Sequence, residues 1–333
     1  MKKYFLATFI LFTIILAACG NSSNSSEGEA SGSSTTTLKL NFVGSNSDPT
    51  YPLWEEFAEE LEERSEGTLE VEIYPSESLG NTTDMIESIS KGATVLQDSD
   101  PSHLSDYVDD FSIFMHPYLF QEPEDIETAW KSDVGQRMSD ELEEKGIKIV
   151  TAVYFGKRHL LSDVEVVTQD DTQGMKIRNA PTTMWNEVSK TLGGNPTNTA
   201  WSETYSALSQ GVADAAESPL SLLYSSKLYE TKDRISLTGH LVATTTIVMS
   251  TDVYDSLPPE AQKAIDEVGQ ELPEKRVEDI EEIEVEYRQK LEDEGIEFNE
   301  IEPESFIEAS EHVSDAFPEW TDGLYEDMKK AIE

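Results

Sequence analysis

The feature that most constrains this chain is a switch of hydrophobic period within its first folded segment. Leu38-Lys39-Leu40-Asn41-Phe42 alternates with period two, as a strand with one buried face does. From Pro52 to Arg64 the period becomes 3.6: Trp54, Phe57, Ala58 and Leu61 form one stripe, and Glu55, Glu56, Glu59 and Glu60 fill the opposite face. Leu69-Glu70-Val71-Glu72-Ile73-Tyr74 then alternates again before Pro75. This is a β-α-β unit, and such units pack as an α/β sheet with helical cover. A short helix through Met85, Ile86 and Ile89, ended by Gly92, and a strand at Thr94–Gln97 continue the pattern and predict a parallel sheet.

Further along, Glu124 to Lys145 reads as one helix stopped by Gly146, and Ile147 to Tyr154 as a buried strand leading to Arg158. A second α/β unit follows. Lys176-Ile177-Arg178 is a short strand opened by Gly174, with helices over Thr182–Leu192 and Ser202–Gln210, the latter turning Tyr205 and Leu208 inward. Pro219 opens another helix, and Ile235–Leu237 and Leu241–Met249 read as two strands. Pro258 to Glu294 carries a long helical pattern in which Pro273 predicts a kink or break. Amphipathic stretches at Phe306–Phe317 and Trp320–Ile332 close the chain.

Ahead of the first strand, Lys2 and Lys3 precede an apolar run to Leu16 and then Ala17-Ala18-Cys19, which reads as a signal peptide over residues 1–18. The cysteine after Leu-Ala-Ala resembles a bacterial lipobox, which implies a lipidated Cys19 as mature N-terminus and attachment to the outer face of the cell membrane. After Cys19, residues 20–37 are Gly, Ser, Asn and Thr with two glutamates and one alanine, so 19–37 is a lipidated cysteine and a flexible tether reaching roughly 20 to 25 Å. Cys19 is the single cysteine of the 333 residues, so disulfides, thiolate metal sites and cysteine catalysis have no residues to use.

Charge narrows the partners. With 67 acidic against 24 basic residues the formal net charge is −43, a field that repels nucleic acid. It repels an anionic ligand as well, unless a local cationic cluster reverses it. His103, His116, His159, His240 and His312 show no chelating spacing, and the chain has no G-x-S-x-G, P-loop or G-x-G-x-x-G. The expectation is therefore a protein without metal, cofactor or catalytic chemistry.

One set of motifs is more specific: Gly174-Met175-Lys176-Ile177-Arg178, Leu192-Gly193-Gly194-Asn195-Pro196-Thr197, Ala200-Trp201-Ser202-Glu203-Thr204-Tyr205, Ala207-Leu208-Ser209-Gln210-Gly211-Val212-Ala213-Asp214 and Glu217-Ser218-Pro219-Leu220. In this order they resemble the solute-binding proteins of tripartite ATP-independent (TRAP) transporters, the DctP family. The resemblance implies a two-domain, periplasmic-binding-protein-like α/β fold with an interdomain ligand cleft, crossing strands and a long hinge helix. It places domain 1 at 38–155 plus about 244–280, and domain 2 at 156–243 plus about 281–333. It implies a monomeric receptor that closes on a small organic acid and delivers it to integral-membrane permease subunits.

Carried over by motif, Arg178 is the carboxylate clamp, since a guanidinium meets a carboxylate bidentately and stays charged. The alternative for Arg178 is an arginine paired with a surface acid. Arg158 is either a second cationic ligand contact or half of a salt bridge that holds a domain together, and Trp201 either packs on the ligand or belongs to the core. Glu217-Ser218 departs from the usual Glu-Asn pair and puts a hydroxyl where an amide commonly binds ligand. Asp100 and His103 align with positions that select the ligand's distal end, with Thr82 and Phe42 behind them, or they are polar residues of a loop. Two other functions stand beside this one: a receptor for an ATP-driven importer or a sensor kinase, and a surface hydrolase or structural lipoprotein.

Overall fold

A computed structural model describes residues 35–333; the expected signal peptide, Cys19 and most of the expected tether lie outside the described residues. The chain forms β1 (Thr36–Asn41), α1 (Tyr51–Arg64), β2 (Leu69–Tyr74), α2 (Thr82–Ile89) and β3 (Val95–Ser99), then α3 (Pro123–Lys131), α4 (Asp133–Glu143) and β4 (Ile147–Ser162). Next come β5 (Lys176–Asn179), α5 (Thr183–Thr191), β6 (Asn195–Asn198), α6 (Thr204–Ser209), β7 (Ala215–Ser218), α7 (Leu220–Ser225) and β8 (Arg234–Ser250). It ends with α8 (Thr251–Ser256), α9 (Pro259–Asp293), β9 (Glu297–Asn299), α10 (Glu304–Ser310) and α11 (Leu324–Ala331).

The sheet runs β2-β1-β3-β8-β4-β7-β5-β6, with β9 on β8. Its two ends are parallel, β1 with β2 and β3, and β5 with β6 and β7. The expected all-parallel sheet is nevertheless mixed, because the chain passes between the ends along β4 and β8, and these pair antiparallel from Ile147↔Ser250 to Ser162↔Arg234. One end of β8 meets β3 and one end of β4 meets β7, so two strands cross from one lobe to the other. The pairing is irregular between Tyr154 and Gly156, at the crossing. Gly156 has φ +111°, and a Cβ there would stand 2.9 Å from the Pro219 side chain, so the bend needs glycine.

Three apolar clusters divide the interior. Leu38, Leu40, Phe42, Trp54 and Phe57 pack with Ala261, Ile265, Val268 and Leu272 from the first half of α9. Leu208, Leu223 and Ile235 pack with Leu291 from its far end. A 35-residue helix, about 52 Å long at 1.5 Å per residue, thus serves both lobes. It does so without the break expected at Pro273, which sits inside a continuous helix. Pro273 cannot donate to the Gly269 carbonyl. Gly269 itself lies so close to β4 that an added Cβ would be 2.1 Å from the Val150 carbonyl oxygen, and packing on that strand outweighs the lost bond.

Other expectations change at their edges. The helix expected over Glu124–Lys145 is two, because Ser132 adopts extended backbone and its hydroxyl accepts from Gly135 N, capping α4. The two strands at 235–249 are one, β8. Tyr205 is 41% exposed, bonded through its hydroxyl to Glu230, whereas Leu208 is buried. The C-terminal segment divides its packing: Phe306 joins the cluster holding Trp185 and Val188, whereas the Trp320 indole donates to Ser112 Oγ (2.8 Å) and Thr321 N to Asp110 Oδ1 (2.9 Å), both in the first lobe. The sequence pattern did not anticipate that second placement.

Candidate ligand-binding site

β5 positions Arg178 by strand alternation. Ile177 faces the core and is fully buried opposite Ala215, so Arg178, registered against Ala216, projects from the other face. That face opens on a cavity of about 410 Å³ between the lobes. The guanidinium is 4% exposed, and its Nε and Nη2 donate to Thr199 Oγ1 (3.3 Å) and Thr199 O (2.7 Å). Its plane lies 5.0 Å from the Trp201 ring centre. No carboxylate among the described residues pairs with it. Burial pushes its pKa down to about 10, against the pull of Glu217, so it remains a cation at neutral pH.

Arg158, on β4, is differently engaged. Its Nε and Nη2 donate to Glu217 Oε2 (2.5 Å) and Oε1 (2.9 Å), and Nη2 also reaches the Glu217 carbonyl at 3.2 Å. His240 Nε2 is 3.2 Å from Glu217 Oε2, and its Nδ1 is 2.7 Å from Thr238 Oγ1. Burial alone would raise the Glu217 pKa, yet Arg158 and His240 hold it at about 2. Burial pushes His240 below the ordinary histidine value. Both Arg158 and Glu217 line the cavity, with the Arg158 guanidinium 4.6 Å from the Trp185 ring centre. The two readings of Arg158 are thus joined in one residue: a buried ion pair that forms part of the cavity wall.

From the first lobe come Asp100 and His103, on the turn that follows β3. Asp100 caps that turn by accepting from Ser102 N (2.9 Å), faces His103 Nδ1 at 3.0 Å and accepts from the Trp185 indole at 3.2 Å. Burial acts to raise Asp100 and lower His103. Their mutual attraction wins, so the aspartate lies well below the usual carboxylate range and the histidine is raised. They form an internal ion pair rather than free polar ends. Thr82 also lines the cavity and donates to Glu77 Oε1 (3.3 Å).

Two expected residues do not reach the cavity. Ser218 follows Glu217 on β7, so alternation turns its side chain to the opposite face; it is fully buried there, and its Oγ has no hydrogen-bond partner among the described residues. The hydroxyl that replaces the usual amide therefore lies outside the cavity lining. Phe42 packs with Tyr51 and Trp54 in the first-lobe core. Conversely, Asp98, Trp185, Glu77, Thr244 and Thr245 line the cavity without having been expected to. Trp185 was hidden because a tryptophan in a 3.6-residue stripe reads as core. Asp98 stands near the carboxyl end of a strand, the place where open α/β sheets hold ligands, and that position was the available signal.

Side-chain bonds tie the two lobes together. Ser225 Oγ donates to Asp48 Oδ2 (2.6 Å), Ser202 N to Glu77 Oε2 (3.3 Å) and Thr182 Oγ1 to Ser102 Oγ (3.2 Å). With the Asp100–Trp185 bond they hold the cleft closed.

A profile described as bacterial extracellular solute-binding protein, family 7 (DctP), matches residues 40–320. A TRAP periplasmic solute-binding protein from Ochrobactrum anthropi, solved with bound L-fuconate, is similar at 29% identity with a TM-score of 0.87, covering 90% of this chain and 100% of that one. One from Fusobacterium nucleatum with bound sn-glycerol-3-phosphate has 30% identity and a TM-score of 0.85, covering 89% and 96%. Among curated relatives, the 2,3-diketo-L-gulonate-binding periplasmic protein YiaO of Escherichia coli is 28% identical over 79% of this chain and 78% of its own length. With crossing strands, a hinge-like helix and a closed interlobe cavity already in view, the chain belongs to the DctP family of bacterial extracellular solute-binding proteins.

Proposed function

We propose that this protein is the extracytoplasmic receptor of a TRAP transporter, which captures a small organic acid by closing its two lobes on it and hands it to membrane permease subunits. One observation carries the reading: Arg178 is buried in the cavity wall, remains cationic and has no carboxylate partner among the described residues. A buried charge is costly without a partner, so the arrangement calls for an anion from outside. A carboxylate at the open edge of the guanidinium supplies charge and paired acceptors together.

Of the similar proteins, one holds L-fuconate and another is named for binding 2,3-diketo-L-gulonate, which supports the ligand type. In this reading domain 1 comprises 38–155 and about 244–280 with the C-terminal stretch from Trp320 packed on it, domain 2 comprises 156–243 and about 281–319, and β4, β8 and α9 act as the hinge. The protein performs no chemistry and works as a monomer. Arg178→Ala is expected to weaken binding of the best carboxylate found in a calorimetric screen by about 2–5 kcal/mol while leaving the fold unchanged. Unaltered affinity would rule out the clamp.

The anchor is a separate part of the proposal, motivated by Leu16-Ala17-Ala18-Cys19. Two acyl chains on Cys19 would hold the protein stably at the membrane. Cys19→Ala should move it from the membrane fraction to the soluble extracytoplasmic fraction. A variant that stays with membranes would refute lipidation.

A further inference from the structure

The short helix α7 is six residues long and is held at both ends by carboxylates from other parts of the molecule. At its start Glu284, on α9, accepts from Leu220 N (2.9 Å) and Ser221 N (3.1 Å). At its end Ser225 Oγ donates to Asp48 Oδ2 (2.6 Å), which belongs to the loop between β1 and α1 in the first lobe. At 1.5 Å per residue the two holds lie about 8 Å apart along this strut. The strut is tied to the cavity, because Leu222 and Glu217, on and just before it, line the wall.

The two carboxylates feel different motions. Glu284 joins the long helix to the second lobe and borders the strand crossing, where a Cβ on Gly156 would stand 3.4 Å from its carboxyl carbon. Asp48 reaches from one lobe to the other, so its bond to Ser225 exists only while the lobes are together. It is 4% exposed, and besides Ser225 it accepts from Thr50 N (2.9 Å) and Thr50 Oγ1 (2.6 Å). The donors to both carboxylates are neutral, and no cation among the described residues pairs with either.

Their surroundings add negative charge. Asp98 on β3 lies near enough to Asp48 and Asp100 to be repelled by both, and Asp48 in turn repels Glu284. On β4, Tyr154 feels Glu284 and Glu281. Lys157 on β4 and Arg288 on α9 are engaged with other acids, Glu122 at 3.5 Å and Glu292 at 3.3 Å. Tyr51 and Tyr224 pack on aromatic neighbours. Burial accordingly raises Asp48 against the pull of its three bonds, and pushes Asp98 up to about 6 and Glu284 up to about 7.

Opening the cleft withdraws Asp48 from Ser225 and Glu284 and lets water reach it, which returns it toward an ordinary carboxyl. The closed form then binds more protons than the open one. Closure is therefore favoured as pH falls and opposed as pH rises through about 6 to 7.

We infer that α7 is a proton-sensitive latch: Asp48 and Glu284, brought to the two ends of one strut when the lobes close, oppose closure while both are ionised and permit it when one of them takes up a proton. The inference rests on the lobe motion of the proposed function and on no particular ligand.

The test uses the empty protein. In a Cys19→Ala background, dyes on Glu87→Cys of α2 and Ser209→Cys of α6 report the distance between the lobes by single-molecule energy transfer. The ratio of closed to open molecules should rise about tenfold or more from pH 8 to pH 5.5, since one pKa unit of difference between the two forms corresponds to tenfold. Asp48→Asn should leave less than a twofold change. Ser225→Ala keeps the carboxylate and removes a donor that favours its charged form, so it should steepen the dependence, and it decides the matter where Asp48→Asn does not fold. A wild-type ratio constant with pH overturns the latch. So does a tenfold change that survives in Asp48→Asn, which would assign it to the His103–Asp100 pair that this variant leaves intact. Either result leaves the receptor reading standing, because that reading is decided by acid binding to the wild type and to Arg178→Ala.

Discussion

Glu217→Gln is the perturbation that most directly tests how the site is held together. Glu217 is 2% exposed and receives Arg158 Nε at 2.5 Å, Arg158 Nη2 at 2.9 Å and His240 Nε2 at 3.2 Å. Glutamine keeps the shape but removes the charge and one acceptor oxygen, leaving the buried Arg158 guanidinium with one side-chain oxygen and the residue 217 backbone carbonyl, 3.2 Å away, and no counter-charge. Breaking one side of a buried pair costs about 3–5 kcal/mol, a large part of the 5–15 kcal/mol typical of a whole protein. In urea denaturation at pH 7.5, with m of about 3 kcal/mol/M, the midpoint should fall by about 1 M or more. Arg158→Met with Glu217→Leu should recover most of that loss, because packed apolar side chains avoid the desolvation that both charges undergo. The pH dependence follows in sign. The Glu217 pKa is depressed to about 2, so its contribution is present above the unfolded value of 4.5 and disappears as pH falls through 2. The stability gap between wild type and Glu217→Gln should therefore narrow in that window. A midpoint shift equivalent to under 1 kcal/mol, or a double variant no better than the single, would refute the picture of Glu217 as the counter-charge that makes Arg158 tolerable.

Two further outcomes test the frame around the site. Gly269→Ala places a Cβ 2.1 Å from the Val150 carbonyl oxygen, a backbone atom that cannot rotate away, so thermal unfolding should report a loss of about 1–3 kcal/mol or more; an unchanged midpoint would mean that α9 is not seated on β4 as described. His116 is 1% exposed, and burial pushes its pKa down to about 4, so the native state holds it neutral and its contribution is lost as pH falls from 6.5 towards 4. His116→Phe should flatten that acid limb by about 3 kcal/mol in denaturation curves taken at pH 7.5 and pH 4, and an unaltered slope would show that the ring is protonated in the native state.

How much of this was legible in advance depends on what periodicity reports. It reports that one face is buried, which was enough for the stripe of Trp54, Phe57, Ala58 and Leu61 and for the alternation in β1 and β2. It does not report against what. The Met184–Trp185–Val188 stripe is one case, since Trp185 belongs to the core and also reaches the cavity with its ring and its N–H. The crossing of β4 and β8 is another, because a long strand that changes neighbours midway has the same local pattern as two short ones. Local rules were overridden where tertiary packing was dense, as at Pro273. They acted unrecognised where a single side chain sufficed, as at Ser132. Motif order singled out Arg178 and Glu217, which line the cavity, but a motif is one-dimensional. It carried Ser218 along with Glu217, although adjacent strand residues face opposite sides.

The site also explains how a chain with a net charge of −43 can hold an anion. Screening limits each exposed carboxylate to about 8 Å at physiological ionic strength, so most of the surface acids contribute little inside the closed cleft. Within it the effective dielectric is low, and the balance is decided by the few charges that line the wall. There only part of that excess is paired, since Glu77, Asp84 and Asp98 also line the cavity with no cationic partner among the described residues. Glu217 is consumed by Arg158 and Asp100 by His103, whereas Arg178 is left with a backbone carbonyl and a hydroxyl. If Arg158 lacked Glu217, two unpaired buried guanidiniums would share one cavity and depress each other's charge, as Arg158 already does slightly to Arg178. If Arg178 had a carboxylate of its own, a ligand would have to displace it. One paired and one unpaired arginine is the arrangement that keeps the empty protein stable and still leaves a single, strong reason to bind an acid.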